Sequence, residues 1–465
     1  MKLNEMNEFD SIYFVGAGGI GMAALERYFL TIGKRVAGYD RTPSDLTRAL
    51  EQEGVHIDYD EAPDMIPDYC RDPKRTLVVY TPAVPEKHQG LTWFRQEGFK
   101  VMKRSAVLGE VVSTVKAICF AGTHGKTTTS GMAAHILHTS SIGCNAFLGG
   151  ISCNYETNYL SSEDSEYAVV EADEYDRSFH RLRPHVAVVT STDPDHLDIY
   201  GTPENYLEAF AQFTELIQPG GALIVHTGLA LKPRVVDGVK IYTYGREDGD
   251  FHAANIRRGI GEISFDLVTP WETLPNVELG VPVDINIDNA IAAMAACRLL
   301  EVPLETMRDA MGSFRGTKRR FEFWIKEDGG MGRVMIDDYA HHPDELKASI
   351  SSVRNLFPGR RLTVIFQPHL YSRTRDFADG FASALSVADE VILLPIYPAR
   401  EEPLPGVTSE MVLEKVTNPK KCIYSKENLI KSIQNSNFDV LLTAGAGDIA
   451  NLLPQICAEF KKQKR

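Results

Sequence analysis

Positive charge is in short supply in this 465-residue chain, where 49 lysines and arginines face 63 aspartates and glutamates for a net charge of −14. A surface of that sign disfavours nucleic acid and acidic membranes, so any bound phosphate must be met by local lysines, arginines, backbone amides or Mg2+. The seven cysteines (Cys70, Cys119, Cys144, Cys153, Cys297, Cys422 and Cys457) are odd in number and form no CxxC pair, which argues against a disulfide framework. No apolar run approaches the roughly 18 residues of a membrane span, so no membrane insertion is expected. The opening MKLNEMNEFD is polar and acidic, unlike a secretion signal, and the expectation is a cytoplasmic protein with reduced thiols. Low-complexity tracts and solenoid-period repeats are missing as well.

What is abundant is alternation. Apolar β-type runs at 12–15, 36–39, 77–80, 118–121, 168–171, 186–190, 223–226, 362–366, 391–395 and 440–443 are separated by helical stretches. That pattern predicts an α/β protein of right-handed βαβ units on parallel sheets. The length exceeds what one core supports. Boundaries are expected just before residue 115 and near 315, after a helical run over 289–312, giving domains 1–114, 115–315 and 316–465.

Two glycine-rich turns follow apolar strands. The first, Gly16-Ala17-Gly18-Gly19-Ile20-Gly21, has Asp40 at the end of the next strand and fits a nucleotide-diphosphate fingerprint. A nicotinamide dinucleotide satisfies the same amides, so this turn alone leaves a dehydrogenase open. The second, Gly122-Thr123-His124-Gly125-Lys126-Thr127-Thr128-Thr129, departs from the common phosphate loop because Phe120 stands where its first glycine belongs. It retains Lys126 for the β- and γ-phosphates and the Thr127 hydroxyl for Mg2+. A P-loop switch or motor shares that feature.

Acidic clusters end two further strands: Glu171-Ala172-Asp173-Glu174-Tyr175-Asp176, and Asp193-Pro194-Asp195-His196-Leu197-Asp198. Carboxylates and an imidazole at the carboxyl ends of strands that share a sheet with a phosphate loop suit a Mg2+–phosphate site. Each cluster taken alone is equally a solvated loop. In the last third, Lys318-Arg319-Arg320, Asp337-Asp338-Tyr339-Ala340-His341-His342 and His369-Leu370-Tyr371-Ser372-Arg373 follow strands and suit an anionic substrate. Gly445 and Gly447 form a third turn, read as structural. No Ser or Cys triad is visible.

Taken together, GAGGIGM, GTHGKTTT, EADEYDRSF, the DHLD segment, GTKRRFE, DDYAHHPDE, FQPHLYSRTRDF and TAGAGD resemble the Mur ligase family, in that family's order from residue 16 to 448. The likeness is to its alanine-adding branch. It implies a Rossmann-like N-terminal domain for the UDP-sugar, a central P-loop ATPase-type parallel-sheet domain and a Rossmann-like C-terminal domain that closes with the amino acid. The implied reaction is ATP-dependent joining of L-alanine to UDP-N-acetylmuramate through an acyl phosphate, with ATP and Mg2+ required. By resemblance, the UDP-sugar contacts are Gly16, Gly18, Gly19, Ile20, Gly21 and Asp40. ATP meets Gly122, Thr123, His124, Gly125, Lys126, Thr127, Thr128, Asn286, Asn289, Arg320 and Asp338. Thr127, Glu171 and His196 are implied metal ligands, while Tyr339, His341, His369 and Arg373 surround alanine. Lys126, Glu171, His196 and His341 are expected to carry the chemistry.

This chain differs from the family pattern at Val283 and Ile285, at Leu370 in place of an arginine, and at Ser191 in place of an asparagine. It also has no lysine between His196 and Lys232 for the carbamylated lysine of many relatives. The neighbouring branch attaches a tripeptide during muropeptide recycling; it typically reads DHAD where this chain has Asp195-His196-Leu197-Asp198. A monomer or weak homodimer is expected.

Overall fold

The computed structural model describes residues 5–399, 401–434 and 438–462, so Met1 to Asn4 of the polar opening stretch lie outside the described residues. Contacts divide the chain into two units. The first comprises 1–254, 266–277 and 287–311; the second comprises 255–265, 278–286 and 312–465.

The first unit begins with five parallel strands in the order His56–Asp58, Arg35–Tyr39, Ser11–Val15, Thr76–Tyr80, Lys100–Lys103. Ser11–Val15 is buried at every position, as a strand covered on both faces must be. Strand order reverses between Ser11–Val15 and Thr76–Tyr80, and ligands of open α/β sheets gather at such a switch point. Gly16 sits there with φ +94°, where a Cβ would lie 2.5 Å from Thr81 Cγ2. Only glycine fits that corner.

A second sheet carries the phosphate loop. Its strands run Lys240–Gly245, Ala222–His226, Pro184–Val189, Lys116–Ala121, Tyr167–Glu171, Asn145–Phe147 and Tyr159–Leu160, parallel except for the final pair. Phe251 and His252, at the start of the strand Phe251–Gly259, pair in parallel with Tyr244 and Gly245 and continue it. One apolar cluster joins both sheets of this unit, from Phe14 and Tyr28 to Phe147, Phe179 and Phe210. Helix Ile20–Thr31 is the bridge. Its Tyr28 ring meets Phe147 and Tyr159 edge-on, 5.7 and 6.0 Å between centroids. Its Arg27, 7% exposed, forks onto Glu53 at 2.7 and 2.8 Å and donates to Asn158.

The second unit holds a six-stranded sheet in the order Glu322–Lys326, Val334–Asp338, Val440–Ala444, Leu362–Phe366, Glu390–Leu393, Lys421–Ile423. The first pair is antiparallel and the others are parallel.

The apolar runs all appear as strands, and the architecture is α/β with parallel sheets. One expectation needs correction. The helical run over 289–312 is two helices, Ile285–Leu299 and Leu304–Ser313, divided where Glu301 turns left-handed (φ +62°) just ahead of Pro303. Within those sheets two edge pairs, Glu322–Lys326 with Val334–Asp338 and Asn145–Phe147 with Tyr159–Leu160, are antiparallel.

Candidate active site

Gly125, the residue before helix Lys126–Thr139, has φ +84°, and a Cβ there would lie 2.7 Å from Asn289 Oδ1. The loop therefore turns tightly enough to aim the helix's first amides at whatever sits above it. Thr127 is 6% exposed and its hydroxyl donates to Glu171 Oε1 at 3.1 Å. Lys126, with its side chain 14% exposed, donates to the carbonyls of Gly122 and Thr123 and pairs with Glu174 at 2.8 Å. Burial pushes the Glu174 carboxyl up, and the Lys126 ammonium opposes that rise. Thr123 Oγ1 donates to the Asp193 carbonyl at 2.7 Å and lies 2.9 Å from Tyr206 Oη. The His124 N–H donates to Ser191 Oγ at 2.8 Å, so the serine that departs from the family pattern braces the loop. Thr128 lies in the first helical turn. Thr129, next along, donates to the Gly125 carbonyl and to Asn289 Oδ1 at 2.8 and 3.2 Å.

His196 is held left-handed (φ +52°) ahead of helix Leu197–Tyr200. Its ring packs edge-on against Tyr175, with Asp195 at 3.7 Å. Among the described residues, no group of three or more His, Cys, Asp or Glu side chains is set to hold a metal ion.

Beside this lies a cavity of about 310 Å³ lined by Gly19, Ile20, Gly21, Arg104, Gly149 and Glu171. The glycine turn and the carboxylate beside the phosphate loop thus share one space. A neighbouring cavity of about 220 Å³ is lined by Lys103, Tyr175, Asp176 and Ser178, and Thr81, Arg104 and Asp173 line both. Asp40 accepts from the Gly18 N–H at 2.7 Å, holding the turn itself.

In the second unit, Asp338 accepts from the Phe321 N–H at 3.2 Å, and burial raises its carboxyl. Arg320 is in the turn ahead of Glu322–Lys326, its N–H donating to the Thr317 carbonyl. Asn286, 6% exposed, donates to the Val281 carbonyl at 3.0 Å. Tyr339, His341 and His369 come together: their successive ring centroids are 5.1 and 6.3 Å apart. The Arg319 guanidinium covers Tyr339. His341 Nδ1 lies 3.1 Å from both the Tyr339 carbonyl and Glu345 Oε2. Both neighbours are acceptors, so Nδ1 carries the proton and Nε2 is the basic nitrogen. Burial works to raise Glu345, but hydrogen bonds from His341 and His342 bring its carboxyl down to about 2. Arg373 stands in the short helix Tyr371–Asp376, entered through Leu370 at φ +66°.

Three family models match in succession: the Mur ligase catalytic domain over 11–116, the Mur ligase middle domain over 120–297 and the Mur ligase glutamate ligase domain over 319–447. The UDP-N-acetylmuramate–L-alanine ligase of Phocaeicola vulgatus is 56% identical over 460 residues, 99% of this chain and 100% of that protein. The chain belongs to the Mur ligase family. As a Mur ligase it is a carbon–nitrogen bond-forming enzyme of peptidoglycan synthesis. The similarly named enzyme of Parabacteroides distasonis is 54% identical over 99% of both chains. The crystal structure of UDP-N-acetylmuramate–alanine ligase from Thermotoga maritima superposes with a TM-score of 0.81 at 26% identity, covering 98% of this Mur ligase and all of that chain. A murein peptide ligase from Psychrobacter arcticus, at 22% identity and a TM-score of 0.64, shares the fold.

Glu174, Arg104 and Thr129 all touch the site, and reading the sequence gave none of them a role. Arg104 follows Lys100–Lys103, a strand too short and too polar to register as an apolar run. Glu174 was one acid in a row of acids.

Proposed function

We propose that this Mur ligase joins L-alanine to UDP-N-acetylmuramate, converting ATP to ADP and phosphate and releasing UDP-N-acetylmuramoyl-L-alanine. One observation carries the reading: Lys126, Thr127 and Glu171 stand at the strand ends of one sheet, beside a cavity whose other wall is the Gly19–Gly21 turn. A phosphoryl donor and a second anionic ligand are thereby offered one space. The names of the relatives that match this chain end to end support the choice of substrates.

The substrate's lactyl carboxylate oxygen attacks the γ-phosphorus and ADP leaves, giving an acyl phosphate. The alanine amine, having lost one proton, attacks the acyl carbon; phosphate leaves and the nitrogen sheds a second proton. Lys126 and the amides around Gly125 offset charge on the phosphoryl group in flight. Gly16, Gly18, Gly19, Ile20 and Gly21 take the UDP diphosphate, with Asp40 fixing the turn. Tyr339, His369 and Arg373 hold alanine, and His341 Nε2 accepts a proton from its amine. Asn286, Asn289, Arg320 and Asp338 are assigned to the nucleotide.

The donor set suits Mg2+. A hydroxyl and a carboxylate supply hard oxygens, and Gly149 leaves room beside them, since a Cβ there would lie 2.6 Å from Glu171 Cδ. When held by Thr127 and Glu171, with His196 assigned as a further ligand, the ion would neutralise polyphosphate charge. The three sequence domains, 1–114, 115–315 and 316–465, divide the work as sugar-nucleotide, ATP and amino-acid modules. We assign the enzyme to the cytoplasm, where ATP is made; no described helix is long and apolar enough to cross a membrane.

A coupled assay of ADP release with UDP-N-acetylmuramate and each amino acid in turn tests the reading. L-alanine should be used best. Equal use of L-valine or a tripeptide, or ADP release that does not depend on the sugar nucleotide, overturns it. Label from an ¹⁸O-carboxylate should appear in the released phosphate.

A further inference from the structure

One buried acid has no part in that reaction. Glu174 is 2% exposed, and its carboxylate oxygens lie 2.8 and 3.0 Å from Lys126 Nζ. Its carbonyl accepts from the Tyr200 hydroxyl and from the Arg177 N–H. Asp176 and Arg177 behind it are both left-handed, at φ +47° and +59°, and Asp176 is tied to Lys103 and Ser178. Two successive non-glycine residues persist in that conformation only where contacts hold them. Glu174 is therefore aimed and braced.

Its partner is the one cation of the phosphate loop. A carboxylate on that ammonium competes with a polyphosphate for it, because both are anions seeking the same three donors. Incoming phosphate oxygens must take Lys126 from Glu174 or share it. We propose that Glu174 is a positioning residue for Lys126: it keeps the ammonium over the Gly122 and Thr123 carbonyls while the loop holds no nucleotide, and arriving phosphate displaces it. This rests on the phosphate-loop reading above.

A carboxylate that only neutralised a half-buried lysine would behave differently. Its loss would lower stability and leave nucleotide affinity and turnover unmoved. With displacement, removing the charge destabilises the empty loop and not the filled one, so affinity rises. Turnover falls, because an unguided lysine meets the transferring group in poorer geometry.

The test measures affinity for a non-hydrolysable ATP analogue with Mg2+, alongside kcat, in Glu174→Gln, Glu174→Asp and Lys126→Ala. Glu174→Gln should bind the analogue about three- to tenfold tighter, the scale of one partly buried charge contact, while kcat drops roughly tenfold or more. Glu174→Asp, which keeps the charge and withdraws it by one methylene, should fall between Glu174→Gln and the natural enzyme on both measures. Should Glu174→Gln fail to fold, Glu174→Asp alone decides. Unchanged or weaker analogue binding, or a kcat at the natural level, overturns the proposal. Lys126→Ala separates the two readings: if it binds the analogue normally, the phosphate-loop assignment itself fails. If it loses binding while Glu174→Gln matches the natural enzyme, only the role of Glu174 is lost.

Discussion

The candidate residues of the two units are held differently. Around the phosphate loop, Lys126 and Thr127 are 14% and 6% exposed, and each is already tied to an acid on a neighbouring strand end. In the second unit Tyr339 is 44% exposed and meets His341 through a ring contact, and His341 is bonded to Glu345. Under the proposed assignment, phosphoryl transfer depends on charge placed in advance, and the groups assigned to it are assembled without ligand. A small amino acid offers few handles, so the pocket proposed for it is completed by the amino acid itself.

The largest effect expected on this contrast is at Lys126. Lys126→Ala should reduce ADP release roughly 100- to 1,000-fold or more, the scale of removing a preorganised electrostatic group, with an unchanged circular dichroism spectrum. Activity within a few-fold of the natural enzyme breaks the comparison at its stronger end. Next comes Glu171→Gln, which should move the Mg2+ requirement to higher concentration, with His196→Ala moving it less; coincident Mg2+ titrations for all three proteins remove both residues from the metal site.

A smaller, more selective effect belongs to the second unit. Arg373→Ala should raise the alanine KM about tenfold, the worth of one charge-assisted contact, and leave the ATP KM alone. L-serine and glycine should be poor substrates, since a methyl-sized pocket discriminates roughly 10- to 200-fold per methylene. Parallel changes in both KM values in Arg373→Ala would place that arginine elsewhere.

The smallest concerns stability. Glu345 has its carboxyl held at about 2 against an ordinary 4.5, so its contribution is fully present above about pH 4.5 and is lost as pH falls toward 2. Denaturation midpoints of the natural enzyme and Glu345→Gln should therefore differ at pH 7 and converge in acid. A gap that widens on acidification refutes the assignment.

Much of the fold was legible in the sequence, for reasons visible in the packing. Ser11–Val15 and Leu362–Phe366 are covered on both faces, and burial on both sides demands an unbroken apolar run. Glu262–Val268 alternates between buried and exposed positions and gives no comparable run. Lys126 and Thr127 announce themselves because spacing after a strand is a local property. The pairing of Lys126 with Glu174 spans 48 residues and depends on how Tyr167–Glu171 sits beside Lys116–Ala121, which no local pattern encodes. The grouping of Tyr339, His341 and His369 was foreseeable as a set of strand-end residues, but its acid, Glu345, lies one helical turn beyond His341 and was passed over.

The bridge made by helix Ile20–Thr31 has a consequence for inhibitor chemistry. Arg27 and Tyr28 root that helix, and with it the Gly19–Gly21 turn, in the end strands of the sheet that carries the phosphate loop. The protein, not the ligand, thereby sets the gap between the two proposed anion sites. A tethered compound carrying a diphosphate mimic at one end and a phosphoryl mimic at the other should meet a fixed ruler, with affinity peaking sharply at one tether length. Loosening the root, as in Arg27→Ala, should broaden that peak before it lowers it.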